Sequence, residues 1–318
     1  MTRVAEFIHR RIRILIVLGL SATWVGLFGD LWWPFDLFAH FRWQYVACCV
    51  FAVPWFVWAK SRVGVVISVV SLLLNMALLL GFNLGADRYS STDAVIPEFR
   101  LRVVSINVHT SNRASDKVLD FVRQSDADMV FLMEVDDWWA DALAPLKKDY
   151  PQSGIEWRGD NFGVAFFSRI AGTRVRMESL GEAGVPTVVA ELQYGGKDLQ
   201  FIGTHPVPPT GPTYSAWRNG QLGILRDLAS KSDRPTLLVG DLNATPWSSG
   251  MRTLTKNCDF RLPPPNFVWS PTWMARSPLA ISIDHALATP PLVILRRDVG
   301  PDVGSDHRPI VVEVGWAE

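Results

Sequence analysis

The chain has 318 residues, 48% of them apolar, with 31 basic and 31 acidic side chains; this excludes a disordered chain and suffices for one large domain plus an appendage. Its three cysteines, the adjacent Cys48 and Cys49 and a solitary Cys258, supply neither a disulfide framework nor a CxxC metal site. The zero net charge conceals a division. Residues 1–83 hold seven basic against three acidic side chains and the remainder 24 against 28, a net of −4, so the larger part lacks the overall basic field on which nonspecific nucleic-acid binding draws.

Residues 12–29, 43–59 and 63–84 are apolar stretches, each about the ~20 residues needed to cross a hydrocarbon core. Trp32, Trp33, Trp43, Trp55 and Trp58 sit near their ends as an aromatic belt would. The first quarter therefore reads as three transmembrane helices, with the second, interrupted by Pro54, the shortest. Arg3, Arg10, Arg11 and Arg13 precede the first stretch and Lys60 and Arg62 separate the second from the third, whereas the first loop carries Asp30, Asp36 and only Arg42. The positive-inside rule then places the N-terminus and second loop in the cytoplasm and everything after residue 84 outside it, in a multi-pass protein of the plasma (inner) membrane. Residues 85–99, rich in Gly, Asp, Ser and Thr with no apolar period, read as a linker, and residues 100–318 as the second domain.

In that domain, β-branched and apolar runs predict strands at 102–108, 129–133, 163–168, 187–193, 199–204, 236–240, 281–287 and 309–314. Helical spacing predicts helices at 115–124, 137–147 and 214–230, the first carrying Val118, Leu119 and Val122 and the last Leu222, Leu225 and Leu228 on one side. Strands interleaved with helices imply a layered α/β sandwich, and the hairpin pattern around Tyr194-Gly195-Gly196 excludes an all-parallel sheet.

Chemistry-bearing residues recur where these strands end. Ser105-Ile106-Asn107, Leu132-Met133-Glu134, Gly203-Thr204-His205, Gly240-Asp241-Leu242-Asn243, Ile283-Asp284-His285 and Ser305-Asp306-His307 follow in order. Four carboxylates, two amides and two imidazoles brought to one rim would make a site for a hard cation and for phosphate-ester hydrolysis. Taken alone, Asp241 with Asn243 could be a simple turn. His285 reads as structural, and the Trp138-Trp139 pair as packing residues.

Those six segments, in that order, resemble the endonuclease/exonuclease/phosphatase superfamily: Gly240-Asp241-Leu242-Asn243 is similar to its G-D-x-N motif and Ser305-Asp306-His307 to its terminal S-D-H. The resemblance covers about residues 101–314. It implies a deoxyribonuclease I-like four-layer α/β/β/α sandwich and a Mg2+-dependent phosphoric ester hydrolase, with Mn2+ a possible substitute. It further implies that Glu134 is the principal metal ligand, with Asn107 and Asp306 contributing directly or through water. Asp284 would orient His307 and raise its basicity for taking a proton from water, Asp241 and Asn243 would orient that water and hold a non-bridging oxygen, and His205 would donate to the phosphate. Whether Asp241 or His307 activates the water stays open. Asn161-Phe162-Gly163-Val164-Ala165 and Arg218-Asn219-Gly220-Gln221 also resemble family segments beside the site, whereas His109 has no secure counterpart.

The substrate expectation is a nuclease or general phosphodiester, with hydrolysis of phospholipid or sphingomyelin head groups as the alternative that membrane attachment favours. The partners expected are a lipid bilayer, through residues 12–84, and a nucleic acid or lipid head group as phosphate-ester substrate. No protein partner is inferred, and a non-catalytic binding module is disfavoured because every site position is filled.

Overall fold

Runs rich in Leu, Val and Ile make long helices in the first 84 residues, and alternating apolar residues make strands thereafter; a computed structural model describes residues 3–84, 95–263 and 269–317. The chain divides into two compact units, one of them essentially residues 1–84.

The helical unit contains α1 (Arg3–Val25), a 3-10 turn (Gly26–Phe28), α2 (Trp33–Ala39), α3 (Arg42–Trp58) and α4 (Arg62–Leu84). Ile16, Leu20, Cys49, Ala52 and Phe56 form its apolar centre. Polar groups are also inside. The Arg42 guanidinium donates to the Thr23 carbonyl at 2.8 Å, the Asn75 amide to the Thr23 hydroxyl at 3.2 Å, and the Trp24 indole to Ser71 Oγ at 3.0 Å, tying α1, α3 and α4 together. Two stretches are long and apolar enough to cross a membrane, Glu6–Phe28 and Arg62–Leu80, at mean hydropathies of 1.6 and 2.6. The third expected span, α3, has 17 residues and extends about 25 Å at ~1.5 Å per residue, at the lower end of what crosses a hydrocarbon core.

The larger unit has two sheets. The first contains β1 (Val95–Asn107), β2 (Met129–Met133), β3 (Gln152–Glu156), β4 (Val164–Ser168), β10 (Leu292–Val299) and β11 (Ile310–Ala317), in the order β10-β11-β1-β2-β4-β3. The second contains β5 (Arg174–Leu180), β6 (Val185–Tyr194), β7 (Lys197–Thr204), β8 (Thr236–Asp241) and β9 (Asp284–Ala288), paired in sequence order. Parallel pairs occur at β1/β2, joined through α5 (Ser115–Ser125), and at β7/β8, joined through α7 (Pro212–Lys231); the other pairs are antiparallel. Within the region assigned to a linker, Val95–Phe99 belongs to β1, whose partner β11 recruits it, while residues 85–94 lie outside the described residues.

Period-two patterning explains the layering. Leu101 and Val103 of β1, Phe131 and Met133 of β2 and Phe166 of β4 face Val188 and Ala190 of β6, Phe201 of β7 and Val239 of β8 in one buried core. The Phe166 and Phe201 rings meet across the sheets at 4.9 Å between centroids. The intervening residues Val104, Ile106, Val130, Leu132, Ala165 and Phe167 point the other way, toward Val118, Leu119 and Val122 of α5 and Trp139 of α6 (Asp137–Ala142). On the far side, α7 donates from Gln221 to the hydroxyls of Thr187 and Thr204 on the second sheet. The order is helix, sheet, sheet, helix, a mixed α/β architecture with two sheets. A further helix, α8 (Ser249–Thr255), follows β8.

Gly240 marks where the frame tolerates no side chain. Its φ is +151°, and a Cβ there would stand 1.9 Å from the Thr204 carbonyl oxygen. Gly240→Ala must displace β7 or β8 backbone, and we expect a loss of about 3 kcal/mol or more, read as a fall in Tm of the detergent-solubilised chain. An unchanged Tm would contradict this packing.

Candidate active site

Four strands end and two begin at one rim. β1 ends at Asn107, β2 runs into Glu134, β7 into His205, and β8 ends on Asp241. β9 is antiparallel to β8 and starts with Asp284 paired to Asp241, while β11, antiparallel to β1, starts just after His307. Residues 200 positions apart therefore meet because of strand direction, with no loop rearrangement needed. Leaving the strands so abruptly puts three non-glycine residues in the left-handed region: His109 (φ 60°), Glu134 (61°) and Asn243 (48°). Such conformations cost on the order of 1 kcal/mol each and are held by the surrounding bonds.

Those bonds are specific. The Glu134 carboxylate accepts Asn107 Nδ2 on Oε1 at 2.9 Å and the Thr110 N–H on Oε2 at 3.1 Å. Asn107 Oδ1 accepts the His109 N–H at 3.0 Å, so the Asn107 amide reaches a cation through Glu134 or a water. Asp241 Oδ1 accepts the Asn243 N–H at 2.9 Å, and the Asn243 side chain is held by the Pro206 carbonyl at 2.9 Å. The other oxygen, Asp241 Oδ2, faces Asn107 Nδ2 at 3.3 Å, His205 Nε2 at 3.5 Å and His307 Nε2 at 3.6 Å. These exceed the usual range of N–H···O bonds, so three polar nitrogens surround one carboxylate oxygen without clamping it.

His307 is fixed from behind. Its Nδ1–H donates to Asp284 Oδ2 at 2.9 Å, leaving Nε2 toward Asp241. Asp284 is itself held by Thr272, whose hydroxyl accepts the Asp284 N–H at 3.2 Å, and by Arg297, whose guanidinium donates to the Asp284 carbonyl at 2.7 Å. Ser305 Oγ donates to the Asn107 carbonyl at 2.8 Å and accepts the His307 N–H at 3.0 Å, joining the last motif to the first strand.

Electrostatics separate the groups. Burial disfavours charge on His307, yet the Asp284 and Asp241 carboxylates overcome it and push the imidazole up to about 10. Burial pushes Asp241 up to about 6, against the pull of the His307 ring. Asp284 is also disfavoured by burial, but the His307 charge and hydrogen bond bring it below the usual carboxylate range. At neutral pH the imidazolium form of His307 is thus stabilised between two acids.

Asp241, Asp284 and His307 bring ligand atoms within 4.8 Å of one another. The bond between His307 Nδ1 and Asp284 Oδ2 already uses two of those atoms, and all three residues are buried, so this cluster suits proton handling better than cation binding. Glu134 and Asp306 are more open to solvent. Asp306 Oδ2 accepts the Trp273 indole N–H at 3.1 Å, and its Oδ1 faces His109 Nδ1 at 3.8 Å. Glu134 retains lone pairs beyond the hydrogen bonds it accepts from Asn107 and Thr110, and oxygen donors of this kind fit a hard divalent ion.

His285 is structural, as the sequence implied: it is buried, and its Nε2–H donates to the Ala244 carbonyl at 2.9 Å. Burial, with Arg297 adding to it, pushes its pKa down to about 4 from 6.5. The unfolded chain therefore takes up a proton between pH 6.5 and 4 that the folded chain refuses. The stability held above pH 6.5 is lost as the pH falls, by about 3 kcal/mol at most. Thermal unfolding from pH 7 to 4.5 should fall more steeply for the natural protein than for His285→Gln; equal slopes would refute a buried neutral His285.

Of the aromatic pair, Trp139 is fully buried as expected, while Trp138 is 38% exposed with the Arg113 guanidinium 4.6 Å over its ring. Phe162 stands 5.4 Å from the His205 ring. Sequence reasoning missed Thr110, Thr272, Trp273 and Arg297, for which no local pattern exists, and it gave Arg218 no role. Arg218, buried on α7, donates to the Asn243 carbonyl at 2.8 Å and supports its left-handed turn.

With that geometry established, comparisons with known proteins place the chain. The family model described as "Endonuclease/Exonuclease/phosphatase family" matches residues 104–307, which is more than half of the sequence, and the chain belongs to that family. Its members are divalent-metal-dependent phosphoester hydrolases. A search of curated proteins gave no match. Among solved structures, D. rerio TDP2 complexed with a single-strand DNA product is 15% identical, with TM-score 0.54, covering 68% of this chain and 98% of that one. The human nocturnin catalytic domain with a bound sulfate anion is 17% identical, with TM-score 0.54 and coverages of 70% and 96%. An endonuclease/exonuclease/phosphatase from Beutenbergia cavernae is 20% identical, with TM-score 0.54 and coverages of 69% and 72%. At these identities the likeness concerns the fold.

Proposed function

We propose that this chain is a membrane-anchored, Mg2+-dependent phosphodiesterase of nuclease type that hydrolyses its substrate by attack of water. The observation that carries the reading is the gathering of Asn107, His205 and His307 around Asp241 Oδ2, beside the carboxylate of Glu134. Glu134 and Asp306 hold the cation, with Asn107 orienting Glu134. When bound, the ion polarises a phosphoryl oxygen and offsets charge on the leaving group.

The remaining steps belong to the protein. Asp241, raised by burial, accepts a proton from the attacking water, with the Asn243 N–H holding its other oxygen in register. His307, kept cationic by Asp284 and Asp241, donates from Nε2 to a non-bridging oxygen, and His205 adds a second donor. This division favours Asp241 over His307 as the group that activates water. Asn243 acts mainly by orienting Asp241, since its amide is already engaged with Pro206.

The helical unit supports the membrane reading by an inverted distribution. Leu15, Phe51, Val63 and Leu73 are exposed on it, while Thr23, Arg42, Ser68, Ser71 and Asn75 are buried; lipid accepts the former, and polar groups in a bilayer turn inward. With α3 taken as the third and shortest crossing, the basic residues in the first half of α1 and those on either side of Ser61 then put residues 100–318 outside the cytoplasm of a plasma (inner) membrane. A periplasm-dependent reporter fused after Gly85 should be active and one fused at Ser61 silent; the opposite pattern would reverse the topology.

A second reading, cleavage of phospholipid or sphingomyelin head groups, draws on the same apolar helices. Turnover of DNA, RNA, mixed phospholipid vesicles and a phosphomonoester by the full chain separates the two. The nuclease reading expects the nucleic acids to be cleaved fastest, and faster lipid turnover would replace it.

A further inference from the structure

Resting on the nuclease reading, we propose that the stacked pair of Arg113 and Trp138 is a base-binding subsite beside the rim, and that it selects single-stranded nucleic acid as the substrate. Trp138 lies in the first turn of α6, which follows closely on Glu134, and the Arg113 guanidinium stands 4.6 Å over its ring. The neighbouring Trp139 makes a T-shaped contact with it at 5.2 Å between centroids. Trp139 is fully buried in the core beneath α6, whereas Trp138 is 38% exposed. The packing role that the sequence implied for both indoles is therefore filled by one of them.

The pair is held in place. Asp136 is buried, and it accepts the Trp139 N–H on Oδ1 and the Arg113 guanidinium on Oδ2, both at 2.8 Å. One carboxylate thus fixes the helix that carries the indole and the cation above that indole. Arg113 also donates to the Thr110 and Asn112 carbonyls. Thr110 in turn gives its N–H to Glu134 Oε2 at 3.1 Å, so a continuous chain of contacts runs from Trp138 through Arg113 and Thr110 to the rim.

Charge and shape decide what such a pair recognises. Asp136 compensates the guanidinium, which weakens Arg113 as a phosphate contact but leaves its plane and the indole as a flat, polarisable surface. Bases of single strands stack on aromatic rings and on arginine planes. In a duplex the base faces are already covered by neighbouring bases and are out of reach. An acyl chain gains nothing from a guanidinium laid across the ring, which sets a lipid surface aside. Residues 84–318 carry a net charge of −4, so neutralising phosphates is a poor source of affinity for this chain. Stacking needs no net charge.

The test is binding without turnover. The full chain in detergent, with chelator present, is titrated against a short labelled oligothymidylate, an abasic strand of equal length and a duplex, each followed by fluorescence anisotropy. We expect the natural protein to hold the oligothymidylate at least roughly fivefold more tightly than the other two. Trp138→Ala should lose roughly five- to a hundredfold on the oligothymidylate, the range for one stacked base, and nothing on the abasic strand. Trp138→Phe, which keeps a ring, should retain most of the affinity. Equal affinity of the natural protein for the three probes, no binding of any of them, an undiminished affinity in Trp138→Ala, or a loss shared equally by the abasic strand would each overturn the subsite. Mg2+ added to the same preparation separates this from the wider reading. Cleavage of DNA or RNA leaves the nuclease reading standing where the subsite fails, and a natural chain that neither binds nor cleaves them overturns both.

Discussion

Glu134→Gln should fold normally and lose metal-dependent hydrolysis by roughly two to three orders of magnitude in kcat/KM. Cation stabilisation of a phosphoryl group is worth several kcal/mol, and each ~1.4 kcal/mol is tenfold in rate. The change is nearly isosteric. One carboxylate oxygen becomes an amide nitrogen, which cannot ligate a metal, and the charge is lost. Either amide orientation also disturbs the pattern around it: Asn107 Nδ2 and the Thr110 N–H both donate to this side chain, and the new NH2 must face one of these donors. Residual activity should require much more Mg2+ for saturation. Near-normal activity and metal affinity would reject Glu134 as the main ligand.

The second large effect concerns Asp284 and His307. The 2.9 Å bond from His307 Nδ1 to Asp284 Oδ2 makes them one device. Removing the imidazole in His307→Ala should cost about 10²- to 10⁴-fold in kcat/KM, the usual range for a proton-transfer group. Asp284→Asn should also be severe, because a neutral amide no longer stabilises the charged ring, and an amide N–H donating to Nδ1 leaves a neutral imidazole with its one proton on Nε2. In the double variant, the Asp284 change should add little once His307 is gone. Rates for the four members of the cycle decide the point. Fully multiplicative losses in folded variants would show that Asp284 does not act through His307.

Much of this site was legible in the sequence because it consists of strand ends. β2 at 129–133 is found where the apolar run predicted it, and β7, β8 and α7 differ from expectation by a few residues at their ends. Such segments are buried and strongly patterned, and their last residues carry the polar groups. The missed elements lack that pattern. β3 reads Gln-Ser-Gly-Ile-Glu and is half-buried throughout, and β5, at the edge of its sheet, mixes exposed and half-buried residues with none buried. β10 begins apolar but runs into Arg296, Arg297 and Asp298; the half-buried Arg297 then donates to the Asp284 carbonyl, a tertiary arrangement with no local signature. Thr272 was invisible for the same reason, and Arg218, marked only as part of a family-like segment, had no role assigned to it. They act on the Asp284 N–H and the Asn243 carbonyl, and only the folded chain brings them there.

The helical quarter shows the opposite limitation. Composition identified α1, α3 and α4 but could not fix their lengths: α3 has 17 residues where α1 and α4 have 23 each. Nor did composition disclose that Arg42, assigned to a loop, begins a helix and is buried among Thr23 and Asn75.

The central claim, that the strand-end rim is a cation-dependent phosphodiesterase centre, is tested most directly with bis-p-nitrophenyl phosphate. The full chain in detergent is assayed after chelation, and again after Mg2+ or Mn2+ is restored, beside Glu134→Gln and His307→Ala. The account predicts release of p-nitrophenol that chelation abolishes, that either ion restores in the natural protein, and that stays at least a hundredfold lower in both variants. Hydrolysis that survives chelation, or that the two variants share with the natural protein, would contradict it.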